Sequence, residues 1–108
     1  MMKSNLAWIA ALALSMMSAA AGAAEHVVAQ KSMTFSTDKL SVKVGDSVKF
    51  VNEDPYAHNL FSLSEAKSFD LGPSPQGGSK SVVFDKPGTV EIECAMHPAM
   101  KLTVQVKK

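Results

Sequence analysis

The run TVEIECAMHPAMKLTVQV, Thr89 to Val106, alternates at both of its ends. Val90 and Ile92 are separated by Glu91, with Glu93 before Cys94; Leu102, Val104 and Val106 are separated by Thr103 and Gln105. A period of two with β-branched residues on one side marks a half-buried strand. The register places Cys94 on the inward face at the end of the first strand. Met100 falls on the inward face just before the second. AMHPA is left as the connection, with His97 in its middle, and Pro98 stiffens it by fixing its own φ and disfavouring helix at His97.

Outward from this run the same pattern recurs. HVVAQKSMTF (26–35), KLSVKV (39–44), SVKFVN (47–52), HNLFSL (58–63) and SKSVVF (79–84) are short, rich in β-branched residues and partly alternating, with Leu40, Val42 and Val44 facing opposite to Ser41 and Lys43. Gly45-Asp46 reads as a tight hairpin turn, and Pro55, Pro73, Pro75, Gly77-Gly78 and Pro87-Gly88 punctuate the rest. SEAKSFDLGPSPQGG (64–78) is expected to be a loop with one helical turn. No segment after position 24 shows a 3.6-residue period over ten residues or more, so the expected fold is an all-β sandwich of about seven or eight strands. There is no internal repeat and no linker to divide it.

The N-terminus differs in kind. Lys3 precedes an apolar run from Leu6 to Met17 and then small residues ending in AGAA, the three-part pattern of a secretory leader. The expectation is a leader over 1–24, cleaved after Ala23 or Ala24, and one domain over 25–108 in an oxidising compartment such as the periplasm. With no cysteine near the cleavage region there is no lipid-attachment signal, and no second long apolar run would insert the mature chain in a membrane. About 84 residues suffice for one small core, burying roughly 60% of the unfolded surface.

All eleven basic residues are lysines, against ten acids. Loss of Lys3 leaves the mature chain near neutral, which argues against nucleic acid or an anionic membrane as partner. The absence of arginine weakens any reading based on bidentate phosphate binding.

An unpaired cysteine in an exported chain must be protected or used. Nucleophilic catalysis would pair Cys94 with a histidine, but it needs an exposed thiolate and oxyanion donors for which the sequence offers no evident candidates. Zinc prefers four Cys and His ligands and rarely takes a thioether. A thiolate, imidazoles and one thioether suit copper: soft sulfur favours Cu(I), while imidazole and thiolate tolerate Cu(II). A trigonal His₂Cys plane with a weak axial Met needs a second imidazole, from His26 or His58. His26 lies near the mature terminus, while His58 precedes a strand beside Asn59. Asn59 is read as a hydrogen-bonding group tying the His58 segment to the loop that bears Cys94.

VKVGDSVKFVNEDPYAHNL (42–60), followed by FDKPGTVEIECAMHPAM (84–100), resembles the type 1, or blue, copper proteins, the cupredoxins, over most of the mature chain. The Cys-x2-His-x2-Met spacing with Pro98 after the histidine is similar to the amicyanin branch. The resemblance implies a Greek-key β-sandwich with one copper held by His58, Cys94, His97 and Met100, backed by Asn59 and Pro98. It implies a monomer that shuttles single electrons between redox partner proteins docking transiently near His97, and not an enzyme. The sequence departs from the family in lacking a glycine soon after Met100, and in having Val90 and Ile92 where aromatics are common. Met96, Pro98, Ala99 and Pro73 are expected to frame His97 as an apolar patch, with Glu53, Asp54 and Lys101 biasing the docking. The alternative is a copper carrier using the same ligands. Cleavage after Ala23 would then let the Ala24 amine, two backbone nitrogens and His26 bind a second Cu(II) in a square-planar set.

Overall fold

The computed structural model describes residues 22–108. The first 21 positions of the expected leader lie outside the described residues. The described chain forms nine strands and no helix: β1 (Glu25–Lys31), β2 (Thr34–Phe35), β3 (Lys39–Lys43), β4 (Ser47–Asn52), β5 (His58–Ser64), β6 (Lys67–Ser74), β7 (Ser79–Val83), β8 (Gly88–Cys94) and β9 (His97–Lys107). They make two sheets, ordered β2-β1-β4-β7 and β3-β9-β8-β5-β6. β1 with β4 and β3 with β9 are parallel pairs, and the other pairs are antiparallel.

The alternation in Thr89–Val106 sets the core. Val90, Ile92, Cys94, Met100, Leu102, Val104 and Val106 are all at most 4% exposed, and Val28, Val48, Phe50 and Phe84 join them in one cluster. Each fully buried side chain of this size contributes ~1.5–3 kcal/mol relative to leaving it in water. That cluster is the rigid body on which the ends of β5, β8 and β9 are mounted.

Four expectations are corrected. The run 26–35 is two strands, because Ser32 and Met33 turn through left-handed backbone with φ of 56° and 58°. That is the two-residue hairpin geometry matching strand twist, here without the usual glycine. Gly45-Asp46 does form a tight turn, with the Asp46 N–H on the Lys43 carbonyl at 2.9 Å and Gly45 at φ 98°. It is no hairpin, however: β3 belongs to the five-stranded sheet and β4 to the other, so the turn carries the chain across the sandwich. Val44 consequently leaves the inward face and is 39% exposed. Residues 64–78 hold no helical turn but the edge strand β6. Finally, β9 begins at His97, paired with Cys94, so the connection is only Ala95-Met96.

Asp46 organises the end of the sandwich where β4 begins. It is 5% exposed and accepts the N–H of Ala24 at 2.9 Å and of Lys43 at 3.0 Å, with His26 Nε2 also at 3.0 Å. The Ala24 N–H above all, then His26 and the Lys43 N–H, hold its carboxyl down from 3.8 to about 2. The folded state binds this proton less readily than the unfolded chain, so the stabilisation is complete above about 3.8 and is lost as pH falls toward about 2. Acid unfolding should accordingly be steeper across that interval in the native chain than in an Asp46→Asn variant. Parallel curves would show that the carboxylate contributes nothing.

Candidate metal centre

β5, β8 and β9 are neighbours in one sheet, and the antiparallel pairing brings the start of β5, the end of β8 and the start of β9 to the same end. His58 opens β5, Cys94 closes β8 opposite Leu60, two residues along from His58, and His97 opens β9. Cys94 Sγ lies 3.4 Å from His58 Nδ1 and 3.8 Å from His97 Nδ1. The two imidazole centroids are 5.1 Å apart at an interplanar angle of 64°. Among the described residues this is the only group of three or more His, Cys, Asp or Glu side chains whose donor atoms all lie within 4.8 Å of one another. His58 and Cys94 are buried and His97 is half-buried, so one edge of the cluster meets solvent. Met100 sits three residues along β9 from His97 and is 2% exposed.

The donor set fits copper in its chemistry: two imidazole nitrogens and one thiol converge, with a buried thioether three residues along β9. The orientation of His58 is fixed from behind. Its Nε2 lies 2.7 Å from Asp54 Oδ2. An ionised carboxylate only accepts, so Nε2 carries the proton and the Nδ1 lone pair is left facing the thiol. Asp54 itself is 3% exposed. Burial pushes its carboxyl up, but hydrogen bonds from His58 and from the N–H groups of Met33 and Ser32 outweigh that and hold it below the usual carboxylate value. The two N–H groups come from the left-handed turn and reach Asp54 at 3.0 and 2.5 Å. The turn that breaks the first strand therefore supports the centre.

Asn52, fully buried, shapes the 53–57 loop that carries Asp54. Its amide donates to the carbonyls of Tyr56 and Ser74 at 2.9 and 2.8 Å, and its oxygen accepts the Asp54 N–H at 2.8 Å. Tyr56 packs against both histidines, edge-on to His58 with centroids 5.5 Å apart and tilted against His97 at 5.7 Å. Desolvation, then the Asp54 charge, raises the pKa of its phenol, so it stays neutral.

Asn52 and Tyr56 carry no signal in the sequence, and the role of Asp54 differs from the one read there. Asp54 was expected at the surface as a docking charge, and its burial rules that out, while Glu53 and Lys101 are exposed. The signal available was chemical: a metal-binding imidazole needs an acceptor on its second nitrogen, and Glu53 and Asp54 are the acids closest before His58. The Asn59 side chain does not make the tie read for it: what joins the His58 segment to the cysteine loop is the main-chain carbonyl of that residue, which accepts the Ala95 N–H at 2.9 Å. Its side-chain amide instead donates to Asp70 on β6 at 2.8 Å. Pro98 is exposed as the second residue of β9. His26 lies at the other end of β4 from Asn52, opposite Val48 in the β1–β4 ladder, with its ring on Asp46 and the Ala24 N–H on the same carboxylate. A square-planar set at the terminus would have to dismantle those contacts.

The described architecture has close counterparts. The profile of the "copper binding proteins, plastocyanin/azurin family" matches residues 22–107. The chain is 30% identical over 97 residues to the methylamine utilization protein MauL of Methylorubrum extorquens, covering 89% of this chain and 85% of that one. It is 34% identical over 92 residues to amicyanin-alpha of the same organism, covering 82% and 76%. A solved structure of an amicyanin variant in its reduced Cu(I) form superposes with a TM-score of 0.71 at 30% identity, covering 82% of this chain and 85% of that one. With this match across nearly all of the described residues, and a donor cluster of the kind such proteins require, the chain belongs to the plastocyanin/azurin family of copper-binding proteins.

Proposed function

We propose that this chain is a small blue copper protein that passes single electrons between protein partners and carries out no reaction of its own. In this reading residues 1–24 are a leader and 25–108 a monomeric periplasmic domain, whose first strand begins at Glu25. The ligands are His58 Nδ1, Cys94 Sγ, His97 Nδ1 and the Met100 thioether. The observation that carries the reading is the convergence of the first three donor atoms within 4.8 Å on one rigid sheet end. Copper bound there supplies a Cu(II)/Cu(I) couple at a thiolate, the source of an intense visible colour.

The protein's part is to hold the same donors for both oxidation states. Cys94 is the last residue of a strand in the core, His58 is locked by Asp54, and Ala95-Met96 is too short a connection to swing. Four protein donors leave no open position for a substrate. The route out is the half-buried edge of His97, framed by Met96 at 61% exposure, Tyr56 at 39%, and the exposed Pro98 and Ala99. Pro73 stands opposite Asn59 on β6 at the same end of the sheet. A small apolar patch of this kind suits brief redox encounters, which use modest interfaces.

The test is the visible spectrum of the mature domain with one equivalent of Cu(II), before and after a mild reductant. A strong blue or green band that bleaches and returns on reoxidation is expected; colourless, tight Cu(I) binding would favour copper carriage instead. Two variants probe the details. Met100→Gln should keep the colour and lower the potential, because an amide oxygen in place of the thioether would favour Cu(II); an unchanged potential would make Met100 core filler. Met96→Lys sets like charges face to face when two copies meet, so electron self-exchange, read from NMR line widths in mixed oxidation states, should slow about tenfold with the potential unmoved. An unaltered rate would place the port elsewhere.

A further inference from the structure

We propose that Asp46 is the binding site for the amino terminus of the processed chain, which assigns the end of the leader to the Ala23–Ala24 bond. The inference rests on reading residues 1–24 as a leader containing the cleavage site. Hydrolysis of that bond by a leader peptidase adds the elements of one water: the hydroxyl goes to the Ala23 carbonyl and the hydrogen to the Ala24 nitrogen, which takes up a further proton as an ammonium.

The Ala24 nitrogen is already placed for this. It lies 2.9 Å from Asp46 Oδ1, and the Ala24 carbonyl accepts the Ser47 N–H at 3.0 Å, so the residue is held on both sides. Processing thus changes the charge of a group already in position, and no side chain has to move. Asp46 is 5% exposed, its other contacts are His26 and the Lys43 N–H, and among the described residues no lysine forms an ion pair with it. A buried carboxylate bonded mainly to neutral N–H groups is short of a cation, and a charge-assisted bond is roughly twice as strong as the amide bond it replaces. Ala24, His26 and Asp46 line an open cleft of about 450 Å³, which leaves room for water around an ammonium there. Cleavage one residue later removes the partner, because the Glu25 amine would stand about 3.3 Å further along the strand.

The pair joins β1 to the turn linking the two sheets, at the end of β4 remote from Asn52 and the metal donors. The lock forms only after processing, and it acts on the fold rather than on the copper.

The test compares mature chains starting at Ala24, at Glu25, and at Ala23, the last keeping an amide at position 24. The exported chain should have the mass of the Ala24 form. That form should melt ~4–8 °C above the other two, as expected for a small domain gaining one strong contact. In Asp46→Asn the gap should close, which isolates the pair. Should Asp46→Asn fail to fold, the amine itself decides by NMR titration: paired with Asp46 it titrates above the ordinary range of about 7.7–8.0. The titration has to be read with His26, Lys43, Lys107 and Lys108 in place, since they line the same cleft and the lysines oppose the shift. A chain beginning at Glu25, or equal melting with an ordinary amine, overturns the inference but leaves the leader standing. An exported chain still carrying its first residues overturns both.

Discussion

Cys94→Ser is expected to remove the visible colour of the copper-loaded protein entirely while leaving the sandwich folded. The thiol is 1% exposed and lies between the Nδ1 atoms of His58 and His97, at 3.4 and 3.8 Å. Exchange of sulfur for a slightly smaller oxygen at the end of β8 should cost about 1 kcal/mol, the common size of a core substitution. The colour has no such tolerance. It arises from charge transfer out of a thiolate, and a serine hydroxyl neither ionises as readily nor donates at visible energies. No other thiol can take over, because Cys94 is the only cysteine in the chain. Visible absorption and far-ultraviolet circular dichroism on the same sample would separate the effects. A coloured, folded serine variant would show that the donor set is wrongly assigned.

Much of this centre is legible in the sequence alone, for a physical reason. Strands β8 and β9 are core strands facing solvent on one side, so burial writes itself into their sequence as a period of two, and the inward positions of Cys94 and Met100 follow. The weaker readings concern residues whose role depends on partners distant in sequence. β6 is an edge strand that alternates only between half-buried and exposed until Ser74, and its Gly72-Pro73 looks like a turn. An edge tolerates proline because one row of its N–H groups has no ladder to join. The Gly45 turn is legible in its residues, yet nothing local distinguishes a turn within a sheet from one that crosses between sheets. Only the long-range pairing of β3 with β9 and of β4 with β1 settles that. Asp54 is the same problem in miniature. An acid next to a proline in a polar loop looks solvated, and its burial results from three donors, two of them more than 20 residues away.

That buried carboxylate is where substitution should show most clearly how the fold governs the metal. Asp54→Asn is expected to keep a coloured centre and raise its potential. The amide oxygen can still accept from His58 Nε2, but the negative charge that favours Cu(II) over Cu(I) through the imidazole is gone. Asp54→Ala goes further: it frees the His58 ring and strands the Ser32 and Met33 N–H groups of the left-handed turn. Loss of such an outer partner typically weakens metal binding ~10–100-fold. Copper affinity by competition with a chelator, together with the midpoint potential, would distinguish a charge effect from an orientation effect. A raised potential with near-native affinity in the asparagine variant, and a large affinity loss only in alanine, would assign charge to the first and ring position to the second. If neither quantity moves in either variant, His58 is held by its strand alone, and Asp54 serves only the hairpin turn of β1 and β2.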